Sequence, residues 1–225
     1  MPMLLPTGEP AATGWRVVDE AALVARVLEA AGEPAGRPRV VAVDGRGGAG
    51  KSTLARRLAA AVPSTAVVHT DDLAWHEAFF GWGHLLQGLL EAVHRDGAGR
   101  LRPPAWERRG RPGAVEVPAG TSLVVVEGTG ASHREHAHLL DATVWVQSDA
   151  AEAERRAIDR DVAQGVNGDR AAAVAFWDEW MAHELPFFAA QRPWERAALV
   201  VAGTAPGPLP EGAIAVVAGP LPAAA

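Results

Sequence analysis

Five short apolar runs without polar alternation punctuate this chain: Arg39–Val43 (RVVAV), Thr65–His69 (TAVVH), Ser122–Val126 (SLVVV), Thr143–Gln147 (TVWVQ) and Ala198–Ala202 (ALVVA). Runs of this length and β-branched content are expected as strands buried on both faces. Ala213–Val217 predicts a further strand at the sheet edge. Between the runs the apolar spacing changes to the helical period. Asp19 is placed to cap a helix whose Leu23, Val24, Val27 and Leu28 share one face, ending at Gly32. Ser52–Val62 turns Leu54, Ala55 and Leu58 inward and stops at Pro63, and His84–His94 does the same with Leu85, Leu86, Leu89 and Leu90. Asp149 with Glu152 three residues on resembles a capping box for a helix reaching about Gln164. A second long helix is expected from about Ala171 to Phe188.

Strands alternating with helices predict an α/β fold, a mainly parallel five-stranded sheet with helices on both faces. In such sheets ligands bind at the carboxyl ends of the strands. The expected organisation is an N-terminal arm and helix over residues 1–38, a central domain over 39–203, and an edge strand with a Pro/Ala-rich tail over 204–225. Residues 1–14 are read as a loose arm, 96–121 as a long irregular insertion, and 149–170 as a lid.

At the end of the first buried strand stands Gly45-Arg46-Gly47-Gly48-Ala49-Gly50-Lys51-Ser52-Thr53. It fits the phosphate-loop pattern G-x-x-x-x-G-K-[ST] in the required strand–loop–helix setting. Glycines let the backbone wrap phosphate oxygens, and successive N–H groups at a helix start favour an anion. Lys51 would reach the β- and γ-phosphates of a nucleoside triphosphate, most simply ATP, and the Ser52 hydroxyl would hold Mg2+. Composition sharpens this reading: the chain has twenty arginines and one lysine, and that lysine is Lys51. A compact ammonium stands where a planar guanidinium would not serve.

Charge and cysteine content narrow the partners. The net charge of −6 disfavours nucleic acid as a ligand. No apolar stretch reaches the ~20 residues of a membrane helix, and the start of the chain lacks the basic and apolar regions of a signal peptide. With no cysteine, disulfides and thiolate metal sites are excluded, and a cytoplasmic location is expected. Oligomeric state is not encoded in any visible pattern.

Two further strand ends carry acids. After the second strand comes His69-Thr70-Asp71-Asp72-Leu73, where a carboxylate could take a proton from an acceptor hydroxyl or help hold Mg2+. After the third comes Val126-Glu127-Gly128, the position at which an acid orients the metal. The set "DGRGGAGKST", "HTDDL", "VVVEGTGAS" and "ALVVAG" resembles the P-loop kinases of the uridine kinase, phosphoribulokinase and nicotinamide riboside kinase group, over about residues 39–203. The resemblance implies a three-layer P-loop fold and in-line transfer of the γ-phosphoryl group to a hydroxyl of a nucleoside or similar small molecule. It places the general base on Asp71 and a metal role on Glu127. The chain departs from the group in having no tyrosine, in placing Leu73 and Ala74 after the acid pair, and in following Arg160-Asp161 with Gln164-Gly165-Val166 where the group carries trailing arginines.

Further candidates are weaker patterns. Arg156 and Arg160 lie one helical turn apart and could reach over the phosphates from a lid, although Glu152–Arg156 and Arg155–Asp159 have the spacing of ion pairs on a solvated helix face. Asp72, Trp75, Arg102 and Trp106 are candidate acceptor contacts, with Trp106 stacking on a ring or Arg102 meeting an anion. Trp82 is a further wall candidate, Trp145 and the Trp177/Trp180 pair are expected to pack, and His133, His136 and His138 are expected on a helix surface. The competing reading is a P-loop ATP switch or regulatory ATPase acting through a protein partner. A GTPase is disfavoured, since the only asparagine, Asn167, is followed by Gly168 and Asp169 rather than by the guanine-reading N-K-x-D.

Overall fold

A computed structural model describes residues 3–222. Its central sheet contains β1 (Arg16–Val18), β2 (Arg39–Gly45), β3 (Thr65–His69), β6 (Leu123–Glu127), β7 (Ala142–Gln147), β8 (Leu199–Ala202) and β9 (Ile214–Ala218), in the order β1-β9-β8-β7-β2-β6-β3. The five central strands are mutually parallel: β2 pairs with β6 through Val41↔Val125 and with β7 through Val41↔Ala142. β3 joins β6 and β8 joins β7 in the same sense. Two antiparallel strands extend the five parallel ones: β9 on β8, the further strand expected at Ala213–Val217, and β1 on β9, which takes the edge and was not expected. Arg16–Val18 escaped the sequence pattern because three half-exposed residues carry no periodicity, and an edge strand is stabilised by a neighbour distant in sequence.

Alternate residues of the strands serve opposite layers. Val41, Val43, Val125 and Val144 pack against α1 (Glu20–Ala31) and α2 (Lys51–Ala61) through Leu23, Val27, Leu54 and Leu58. Val40, Ala42, Val124 and Val126 face α4 (Gly83–Asp96), burying Leu86, Leu89, Leu90 and Val93. Burying each of these aliphatic side chains contributes about 1.5–3 kcal/mol, so the sheet's position between its layers is fixed by the strand residues themselves. Asp19 caps α1 by accepting from Ala22 N–H, as its spacing predicted.

Between α4 and β6 the chain is ordered rather than irregular. β4 (Gly99–Leu101) and β5 (Val115–Val117) form an antiparallel pair, with α5 (Pro104–Arg108) in their connection. The N-terminal segment is also held. Leu4 N–H donates to the Asp149 carboxylate and its carbonyl accepts from Ala150 N–H, and Glu9 is buried against β7 and the phosphate loop. α6 (Ala150–Gln164) and α7 (Arg170–Gln191) complete the molecule, α6 being capped by Asp149 through Glu152 N–H. No described helix is long and apolar enough to cross a membrane.

Candidate active site

The phosphate loop runs from the last residue of β2 into the first of α2. Two neighbours set its glycines. Gly48 has φ +72°, and a Cβ there would stand 2.0 Å from the Ala153 carbonyl oxygen of α6. At Gly47 a Cβ would meet the Trp177 and Trp180 rings of α7 at 3.0 and 3.2 Å. The packing expected of Trp177 and Trp180 is thus packing on the loop itself. Lys51 is nearly buried, its Nζ donating to the Arg46 carbonyl at 2.7 Å and to Thr129 Oγ1 at 3.2 Å. The ammonium is thereby stretched across the mouth of the loop.

The β2–β6 pairing brings the second acid to the first motif. Ser52 Oγ donates towards Glu127, 3.2 Å from each carboxylate oxygen, and His69 Nδ1 donates to Glu127 Oε1 at 2.7 Å. Burial would raise the Glu127 carboxyl, but the His69 hydrogen bond, the Lys51 charge and the Ser52 hydroxyl outweigh it and hold the group below its ordinary range. The same hydrogen bond raises His69, with Asp72 and Asp71 adding to it. A hydroxyl and an ionised carboxylate converging at the phosphate loop are the oxygen donors a hard cation takes, and they fit Mg2+. No described group of three or more His, Asp or Glu side chains is arranged for a metal, and none is required where phosphates and water supply the remaining ligands.

Asp44, immediately before the loop, was not singled out by sequence. It is fully buried and accepts from Gly45 N–H, Gly130 N–H, Ser132 N–H and Ser132 Oγ at 2.7–2.9 Å. Burial pushes its carboxyl up while the Ser132, Gly130 and Gly45 donors oppose that. Asp44 joins the phosphate loop to the segment after Glu127. Its signal was its place between an apolar strand and the loop, a buried setting that demands hydrogen-bond partners.

Asp71 and Asp72 open α3 (Thr70–Ala74) at the end of β3. Asp71 is exposed and makes no hydrogen bond with the described residues, so its carboxylate faces solvent beside the His69–Glu127 pair. Asp72 is engaged by Arg111, whose guanidinium lies 3.7 Å from the Trp106 ring centroid and 5.2 Å from that of Trp75. Trp106 is buried and donates from Nε1 to the Asp72 carbonyl. Its ring packs under Arg111 and is not the open stacking surface expected. Arg102 donates to the Arg111 and Gly113 carbonyls and so braces the loop carrying Arg111. Arg111 carries no mark of its own in the sequence: it is one of Arg100, Arg102, Arg108, Arg109 and Arg111, and only the fold shows which one meets Asp72. Trp82 is buried in the α4 layer.

On the far side of the loop lies a cleft of about 370 Å³ bounded by Gly50, Thr53, Arg57, Arg156, Gly203 and Leu209. Arg156 pairs with Glu152 and donates to the Gly203 carbonyl, which turns it towards this cleft. Arg155 pairs with Asp159 as the spacing suggested, and Arg160 pairs with Asp161, whose other oxygen accepts from Asn167. His138 is exposed as expected, but His136 is not. His136 is wholly buried in a 3-10 turn, donating from Nε2 to the Ala131 carbonyl, and burial lowers its pKa to about 4.

No family model and no curated protein matches the chain in sequence. Solved structures do match it in fold. One is a candidate fructose transport system kinase from Silicibacter sp. TM1040, at 24% identity, with 78% of this chain and 95% of that chain covered and a TM-score of 0.55. Another is D-glycerate 3-kinase from Cryptococcus neoformans var. grubii serotype A, at 14% identity, with 81% and 94% covered and a TM-score of 0.60. At these identities the likeness is one of fold: the chain has the three-layer α/β architecture of P-loop kinases.

Proposed function

We propose that this protein is an ATP-dependent kinase that transfers the γ-phosphoryl group to a hydroxyl of a nucleoside or similar small molecule. The observation that carries the reading is the gathering of Lys51, Ser52, Glu127 and the uncommitted Asp71 at the carboxyl ends of three adjacent parallel strands. The fold shared with kinases of small molecules supports it. Lys51 and the amides of Gly47, Gly48, Ala49, Gly50, Ser52 and Thr53 hold the phosphates, and the cleft beyond Gly50 and Thr53 takes the nucleobase. Ser52 and Glu127 would hold Mg2+, which when bound neutralises charge on the phosphates. Asp71 accepts the proton of the attacking hydroxyl, and having no hydrogen bond among the described residues leaves it available for that contact. The braced Asp72–Arg111 pair and Trp75 border the acceptor. The domain boundaries that follow are a kinase core over 39–203, with 96–121 as the acceptor lobe and 149–170 as the lid.

The test is ADP release from Mg-ATP against a panel of nucleosides, vitamin-like ribosides, sugars and small hydroxy acids, with no-acceptor and Lys51→Ala controls. A rise with one acceptor, lost in the variant, supports the kinase. Acceptor-independent hydrolysis across the panel would instead favour an ATP switch working through a partner.

A further inference from the structure

One carboxyl group already sits on the phosphate loop. The N–H of Gly47 donates to Glu184 Oε2 at 2.8 Å, and Trp180 Nε1 donates to the same oxygen at 2.8 Å. Glu184 comes from α7, 137 residues away, and is wholly buried. Its other oxygen faces Arg46 Nη1 at 3.7 Å, and neither of those atoms has a hydrogen-bond partner. Burial raises the Glu184 carboxyl, opposed by the Gly47 hydrogen bond and by the charges of Lys51 and Arg46.

Arg46 does not depend on Glu184 for its charge partner. Arg46 is already paired with Glu9 of the N-terminal segment at 2.7 Å, and Glu9 also accepts from Trp145 and Gln147. Glutamine would satisfy Gly47 and Trp180 equally well through its amide oxygen, without the cost of burying an ionisable group. What the carboxyl adds is negative charge close to Lys51, the side chain that must turn to the β- and γ-phosphates.

We propose that Glu184 is a built-in competitor for the phosphate loop. It holds the Gly47 amide, and it opposes the entering triphosphate until α7 yields. This inference rests on the triphosphate reading of the loop. Nucleotide affinity is therefore set by α7 as well as by the loop, and the end of the nucleotide nearest Lys51 feels the competition most.

The experiment is calorimetric titration of the full chain with Mg-ATP and Mg-ADP, for wild type and Glu184→Gln. Removing the charge while keeping the acceptor is expected to tighten Mg-ATP by about ten-fold, as one charge at close range in a partly dry site would, and Mg-ADP by less. A prop that merely shapes the loop can only lose affinity when altered, so unchanged or weaker Mg-ATP binding by folded Glu184→Gln overturns the proposal. Trp180→Phe gives a second arm that leaves Glu184 in place. Displacement of Glu184 breaks the Trp180 bond, so a tryptophan fluorescence change on Mg-ATP binding should shrink in this variant; an unaltered change overturns the proposal. A wild type that binds no Mg-ATP would instead refute the triphosphate site itself.

Discussion

Ser52 Oγ lies 3.2 Å from both carboxylate oxygens of Glu127, across 75 residues of sequence. The contact exists because β2 and β6 are adjacent and in register, Val43 opposite Glu127, so the first turn of α2 meets the end of β6. Glu127→Gln keeps the shape and removes the charge. Turnover with Mg-ATP should fall by about 10²–10³, while ATP binding in excess chelator changes little. Steady-state rates beside calorimetry separate the two, and a variant that keeps its metal-dependent rate would remove Glu127 from the site.

Asp71→Asn should lower kcat by about 10²–10⁴, the usual range for a lost general base, with Mg-ATP affinity unchanged. Single-turnover phosphorylation of the identified acceptor measures it. An equal loss in ATP affinity would mean that Asp71 serves the nucleotide side.

Gly48→Ala places a methyl group 2.0 Å from the Ala153 carbonyl at a φ of +72°. Both the clash and the left-handed backbone oppose it, at about 1–3 kcal/mol for the backbone alone. Thermal melts should show lower stability, and nucleotide titration should show lost affinity, since α6 and the loop can no longer approach. A variant with wild-type melting and binding would contradict the observed contact.

Acid sensitivity follows from His136, whose ring is buried and neutral. Its pKa is lowered to about 4 from an ordinary 6.5, so between these values the unfolded chain binds a proton that the folded chain does not. Stability therefore falls as pH drops from 6.5 towards 4, by up to ~3 kcal/mol from this group. Chemical denaturation across that window should show a shallower acid slope in His136→Gln. Parallel slopes would place the acid response elsewhere.

Local signals carried much of this. The phosphate loop is contiguous, and its strand–loop–helix setting can be read from neighbouring residues. So can the caps at Asp19 and Asp149, whose bonds span three residues. Glu127 was visible as an acid ending an apolar strand. The basic run near Arg102 was visible as a group, but its members were indistinguishable, because ion pairing with Asp72 is decided 39 residues away. Trp106 looked like an open platform for the same reason: nothing nearby in sequence shows that Arg111 covers it.

The sequence by itself therefore determined the α/β class, the phosphate loop with its single lysine, and the acids at the strand ends, since each is written in residues close along the chain. Only the tertiary structure decided the edge strand β1, the pairing of Arg111 with Asp72 and the brace of Arg102 on the loop carrying it, the burial of His136, and the placing of Glu184 on the Gly47 amide. These depend on which distant segments pack together, and burial of apolar surface, which drives that packing, is non-directional and carries no local mark of its partner.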